Sequence, residues 1–199
     1  MTATTITERA EAACNLLFRT LGAHRVIVAG ISPRPTRRRL LGTDDDREQI
    51  QCQATLLRLV SITESFCADR LVDEVELVMN PSRGAAVLKV WQEAVVKATS
   101  KWDEQKRSYR DWLGVEMAWN KVEVLADARN SVAHGLGSLT RQQLLRERSI
   151  RDRLKGAGMS FAGNRIVLTD GALEAAARAC RDHIVTLDLA VQNRPAEFR

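Results

Sequence analysis

Asp45 and Glu48 stand at the spacing of a helix cap, and the run behind them keeps helical periodicity to about Met79. Ile50, Ala54, Leu57, Ser61, Glu64, Ala68, Leu71 and Val75 recur at coiled-coil-like spacing, which predicts one long helix with a stripe along its side. Ser61 and Glu64 put polar groups into that stripe, and a carboxylate among apolar neighbours calls for a partner. A shifted burial face, through Leu56, Val60, Thr63 and Cys67, is the alternative. A helix of this length is stable only when its apolar side is covered, so the expected fold is all-α, an up-and-down helical bundle.

Composition agrees. Hydrophobic residues make up 45% of the 199, enough for a real core, while aromatics at 5% and only four Pro argue against a β-sandwich. The length fits one domain spanning 1–199. Thr5 and Glu8 predict a first helix from about Ile6, with Leu16, Leu17, Leu21, Val26 and Val28 on its apolar side and Gly30 and Pro33 at its end. Ile31 to Thr43 is expected to be a loop. Its run Arg37, Arg38, Arg39 suits an RNA backbone contact, though short basic runs are common and a solvated arm accounts for it as well or better.

Asn80-Pro81 predicts a helix restart running through Leu88, Trp91, Val95 and Trp102, with a break between Asp103 and Gly114. A fourth helix is expected from Val115 to His134, stopped by Gly135. Thr140 and Gln143 predict a fifth, basic helix through Arg141, Arg146, Arg148, Arg151 and Arg153 to Lys155. Gly163-Asn164 marks a small β-hairpin near the C-terminal helix. That last helix follows Asp170, with Leu173, Ala177, Cys180, Ile184, Leu187 and Val191 on one side.

The net charge of +5 is compatible with a polyanionic partner but does not require one. Cys14, Cys52, Cys67 and Cys180 have no zinc spacing and read as small buried hydrophobes, so neither a metal nor a cofactor is expected. No run reaches the ~18 apolar residues of a membrane span, and Met1 to Ala13 lacks an apolar signal core; the expected location is the cytoplasm.

The fourth helix carries the chemistry. Its apolar stripe reads Ala118, Val122, Leu125, position 129, Val132, and position 129 is Arg. A guanidinium there has to be paired or face a cleft. Asn130 and His134, four apart, share a helix face, and the helix C-terminus favours a cation at His134. A fixed cation, an amide and a titratable imidazole are the groups needed to hold a phosphodiester and move a proton. Arg129 and His134 are about 140° apart around an ideal helix, so one helix does not bring them to one face. Unwinding at the helix end, or pooling two copies across a two-fold dimer, could bring them together. The bland reading is an Arg tied to a buried carboxylate and a His capping carbonyls. His183, beside Asp182, and His24 are expected on polar surfaces, and the Trp residues 91, 102, 112 and 119 in packing.

The segment ARNSVAHGLG, residues 128–137, resembles the signature of HEPN domains, an Arg followed after four to six residues by His, with a polar residue often after the Arg. Here these are Arg129, Asn130 and His134. The long helices before it resemble the HEPN four-helix arrangement. The helix, hairpin and closing helix over 138–199 resemble the bacterial subgroups tied to conflict systems, such as RiboL-PSP-HEPN. The resemblance implies a metal-independent endoribonuclease acting as a homodimer, with two motifs meeting in one cleft. It implies that Arg129 holds the scissile phosphate, that His134 serves as general base or acid, and that Asn130 orients His134 or the phosphate. Ser61 and Glu64 are the candidate supporting residues behind them. It further implies a toxin or phage-defence effector, checked by an antitoxin or other regulatory protein. The competing expectations are a non-catalytic HEPN dimer that binds RNA or a protein, and a purely structural dimerisation bundle.

Overall fold

The computed structural model describes residues 4–31, 44–77 and 84–195. The first helix, α1 (Glu8–Ala29), is capped by Thr7, whose hydroxyl accepts from Ala10 N at 3.3 Å. It therefore starts later than the Thr5–Glu8 spacing predicts; the Thr5 carbonyl instead accepts from Gln192 Nε2. The long helix is α2 (Asp44–Glu76). It packs against both α1 and the final helix α8 (Asp170–Gln192), so its buried arc is wide and centred on the shifted line. Leu56, Val60, Thr63 and Cys67 are all buried, whereas Ile50 is 61% exposed and Ser61 and Glu64 lie at the edge. Leu17, Leu56, Leu59, Leu71, Ile184 and Leu187 fill the space between the three helices.

The segment read as one helix to Trp102 is two. α3 (Ala85–Thr99) ends at Ser100, Lys101 is extended, and α4 (Trp102–Leu113) begins at once. The expected break over 103–114 is thus displaced. Asp103 and Glu104 occupy the first turn of α4, where carboxylates stabilise a helix N-terminus, and Gly114 at φ +62 closes it. The motif helix α5 (Asn120–His134) starts later than Val115; Val115 and Trp119 are buried in the connection. The predicted basic helix is also split, into α6 (Arg141–Leu144) and α7 (Glu147–Gly156), with Arg146 leaving helical geometry between them. The hairpin forms as expected: β1 (Ser160–Ala162) pairs with β2 (Arg165–Val167) across a turn with Gly163 at φ +59. The fold among the described residues is all-α apart from this hairpin, and none of the helices there is long and apolar enough to cross a membrane.

Two histidines are not where the sequence suggested. α1 packs against α2 through His24, whose Nδ1 lies 2.9 Å from Thr55 Oγ1, and the ring is buried. His183, also buried, meets Trp119 edge-on at 4.6 Å and Trp102 at 6.3 Å. Helix α8 crosses an aromatic floor at that point, so position 183 faces inward although Asp182 beside it is exposed.

One end of the bundle is closed by charge. Asp188, fully buried, accepts from Thr7 N at 2.7 Å, Thr7 Oγ1 at 3.0 Å, Arg70 Nε at 2.9 Å and Gln192 Nε2 at 2.9 Å. Arg70 also donates to Glu74, which pairs in turn with Arg194. This joint ties together α1, α2 and α8.

Candidate functional site

Helix α5 buries Val122, Leu125, Ala128, Ser131 and Val132. The core line therefore runs through Ala128, and Arg129 stands beside it, half-buried, rather than on it. The sequence stripe was drawn from Ala118, which precedes the helix and is exposed; that anchor turned the assignment by one residue. Arg129 Nη1 donates to Asn130 Oδ1 at 3.2 Å, and among the described residues it makes no ion pair with a carboxylate. Asn130 is half-buried and His134, in the last turn, is exposed. Asn130 thus touches Arg129 and lies about 40° from His134 around the helix, while Arg129 and His134 remain about 140° apart. One chain brings the amide to the guanidinium, on the helix side that His134 shares, and leaves the cation and the imidazole on separate sides.

A buried network underpins this turn. Ser131 Oγ donates to Gln143 Oε1 at 2.8 Å, and Gln143 Nε2 donates to the Asp127 carbonyl at 2.8 Å. The same Gln143 side chain accepts from Thr140 N at 2.9 Å, completing the capping box of α6. So the residue that starts α6 also fastens it to the motif helix. The Thr140–Gln143 spacing is visible in sequence, but it speaks only of a helix start; the partner across twelve residues is a tertiary fact. Asp127 Oδ2 lies 3.0 Å from Arg153 Nη1, near enough for charge attraction though not aligned as a hydrogen bond. Burial raises the Asp127 carboxyl above its ordinary range, against the opposing pull of Arg153 and Arg146.

After His134 the chain makes a tight turn. Ser138 N donates to the Gly135 carbonyl at 2.9 Å, and Leu136 and Gly137 sit at φ +52 and +85, the pattern of a type I′ turn. A side chain at Gly135 would strike Ser138 O at 1.9 Å, so only glycine fits there.

The other candidates fall elsewhere. Ser61 lines a groove of about 370 Å³ between α1 and α2, with Arg9, Arg58 and Asp69. Glu64 is half-buried, and neither residue hydrogen-bonds to Arg129, Asn130 or His134. Arg37, Arg38 and Arg39 lie outside the described residues. A cleft of about 1100 Å³ between α5, α7 and α8 stops at Leu125, a turn before Arg129. Its acids Glu123, Glu174 and Asp182 are engaged by Lys106, Arg25 and Arg181.

Cys52 Sγ lies 4.0 Å from His24 Nε2, the outline of a thiol–imidazole pair, but burial pushes the thiol up to about 11 and the imidazole down, away from an ion pair. All four cysteines are free and buried. Among the described residues no three His, Cys, Asp or Glu side chains are grouped as a metal ion would need. The chain matches no family model, no curated protein and no solved structure.

Proposed function

We propose that this chain is a metal-independent endoribonuclease of the HEPN kind, working as a homodimer. The observation that carries the reading is Arg129: a half-buried guanidinium held by Asn130 and met by no carboxylate among the described residues, one turn before an exposed His134. A cation so placed is available to an anion, and the imidazole is accessible to move a proton. In the proposed reaction the ribose 2′-oxygen bonds to the adjacent phosphorus as the bond to the 5′-oxygen breaks. The products are a 2′,3′-cyclic phosphate and a 5′-hydroxyl. His134 takes or returns the proton, Arg129 neutralises the phosphate, and Asn130 orients the guanidinium.

Because Arg129 and His134 diverge on one helix, the complete site requires a second copy contributing its own pair. Val87, Leu88, Val90 and Val96, exposed along α3, supply apolar surface for such an association. A toxin or defence role with a regulatory protein belongs to the same reading. The same divergence favours, as second reading, an inactive HEPN dimer that binds RNA or a protein without turnover.

The test is purified protein with RNA in excess EDTA, with product ends mapped. Cleavage is expected to persist, to spare DNA for want of a 2′-hydroxyl, and to fall on the order of 10²–10⁴-fold in His134→Ala. Arg129→Lys should fail badly, since an ammonium cannot copy a two-point guanidinium–phosphate contact. Full activity in His134→Ala, or activity abolished by EDTA, would sink the mechanism.

A further inference from the structure

Leu136 is the anomaly of the molecule. It is 90% exposed, and it is the only described residue other than glycine at positive φ. Position i+1 of a type I′ turn favours Asn, Asp or Gly, so leucine there is strained, and an exposed leucine gains nothing from burial. The turn cannot relax around it. Gly135 N and Gly137 N both donate to the Ser131 carbonyl, at 3.0 and 3.2 Å, and Ile166 N donates to the Gly137 carbonyl at 2.8 Å. The motif helix and the hairpin thus hold the loop rigid, with an apolar side chain projecting two residues beyond His134.

The surrounding charge narrows what that side chain meets. Most described arginines are paired with acids: Arg9 with Asp73, Arg25 with Asp170 and Glu174, Arg70 with Glu74 and Asp188, Arg178 with Glu174. Arg141 and Arg146, exposed on α6 and at its junction with α7, make no ion pair among the described residues, and neither does Arg129. The Gln143 bonds hold α6 against α5 at Asp127 and Ser131, and only residues 137–140 separate Leu136 from Arg141 in the chain, so these cations stand on the element that directly follows the turn. A protein surface packed directly on Arg141 and Arg146 would bury two cations that make no ion pair among the described residues. A nucleotide offers an apolar base face and an anion together.

We infer that the turn 135–138 and the α6–α7 junction form a subsite for single-stranded RNA flanking the scissile phosphate. An unstacked base packs on Leu136, and neighbouring phosphates lie against Arg141 and Arg146. This rests on the ribonuclease reading and adds a contact that reading does not contain.

The two halves of the contact have different signatures. Apolar packing releases no counter-ions, while each neutralised phosphate of a single strand contributes about 0.7 to the slope of log K against log salt. The experiment uses the full chain carrying His134→Ala, so that bound RNA survives. It titrates the protein into a fluorescein-labelled, unstructured RNA of roughly 12 nucleotides at several salt concentrations. Adding Leu136→Asn should weaken binding roughly three- to tenfold with the slope unchanged. It should also raise Tm by about 2–4 °C, because Asn suits the turn; a residue with a purely structural role would not lose binding while gaining stability.

Arg141→Gln with Arg146→Gln should lower the slope by about 1.4. Arg19→Gln with Arg58→Gln, on α1 and α2, should leave both readouts unchanged. Full affinity in Leu136→Asn, or an unaltered slope in the Arg141 and Arg146 variant, overturns the subsite. So does a loss confined to self-association by light scattering, which gives Leu136 to a second copy. If the unsubstituted chain cleaves RNA and Leu136→Asn in that chain cleaves it equally well, only the subsite falls. If the chain neither binds nor cleaves RNA, the ribonuclease reading falls and the subsite with it.

Discussion

Arg70 and Arg129 are the same residue in opposite circumstances. Arg70 is buried where α1, α2 and α8 meet and is clasped by Glu74 and Asp188; Arg129 stands on α5 beside the Asn130 amide, with no ion pair among the described residues. At the joint, acid and base satisfy one another and the polar groups serve architecture. At the α5–α6 corner Asp127 is drawn to Arg153 and Arg146, Arg129 makes no ion pair among the described residues, and its stretch of helix rests on uncharged support through Ser131, Gln143 and the tight turn. Bulk charge cannot separate these cases, because both contribute equally to a net +5. What separates them is whether the neighbourhood already balances the cation.

The comparison breaks most visibly at the joint. Asp188→Ala removes the acceptor for four donors and leaves Arg70 buried with one carboxylate fewer, so stability should drop by about 3–5 kcal/mol. Urea unfolding monitored by circular dichroism measures it, and a loss below about 1 kcal/mol would mean the joint is not the clasp described.

Next in size is an acid effect at buried His183. Burial lowers the His183 pKa to about 4 from 6.5. As pH falls the unfolded chain takes up the proton first. The stabilisation from a neutral ring is complete above about pH 6.5, erodes between 6.5 and 4, and is gone below. The loss is on the order of 3 kcal/mol. His24, lowered by burial, acts in the same direction, while Asp127, raised by burial, acts against it. His183→Leu should therefore flatten this window relative to the parent chain, and an identical acid limb in both would show that the ring does not matter.

Smallest should be the stability effect at the candidate site itself. Arg129→Gln and Arg146→Gln, which break no ion pair among the described residues, are expected to stay within about 0.5 kcal/mol of the parent chain. A larger loss from either would place that arginine with Arg70, as architecture.

Much of the helical plan is readable from caps and periodicity. The Gly163-Asn164 hairpin, the α8 face and the stop at Gly135 follow from local chemistry, which sequence carries directly. The failures share a cause. The edge stripe on α2, the placement of Arg129 on the core line and the surface assignments of His24 and His183 all depend on which neighbour covers a face, and periodicity gives a face without its partner. Asn130 and His134 share a helix face as their spacing requires. The contacts of Gln143 and the strain at Leu136 have no short-range signature beyond a capping pair and two flanking glycines.

The edge-on contact of His183 with Trp119 joins α8 to the residue that caps the motif helix, and the two lie far apart along the chain. Ribosomal synthesis delivers α5 whole before residues 170–192 exist. During that interval Trp119 lacks its lid, and α5 lacks one wall of its packing. A chain interrupted before Asp170 would hold Arg129, Asn130 and His134 in sequence without the scaffold that aims them. Helix α8 thus sets the moment at which α5 gains that wall and Trp119 its lid.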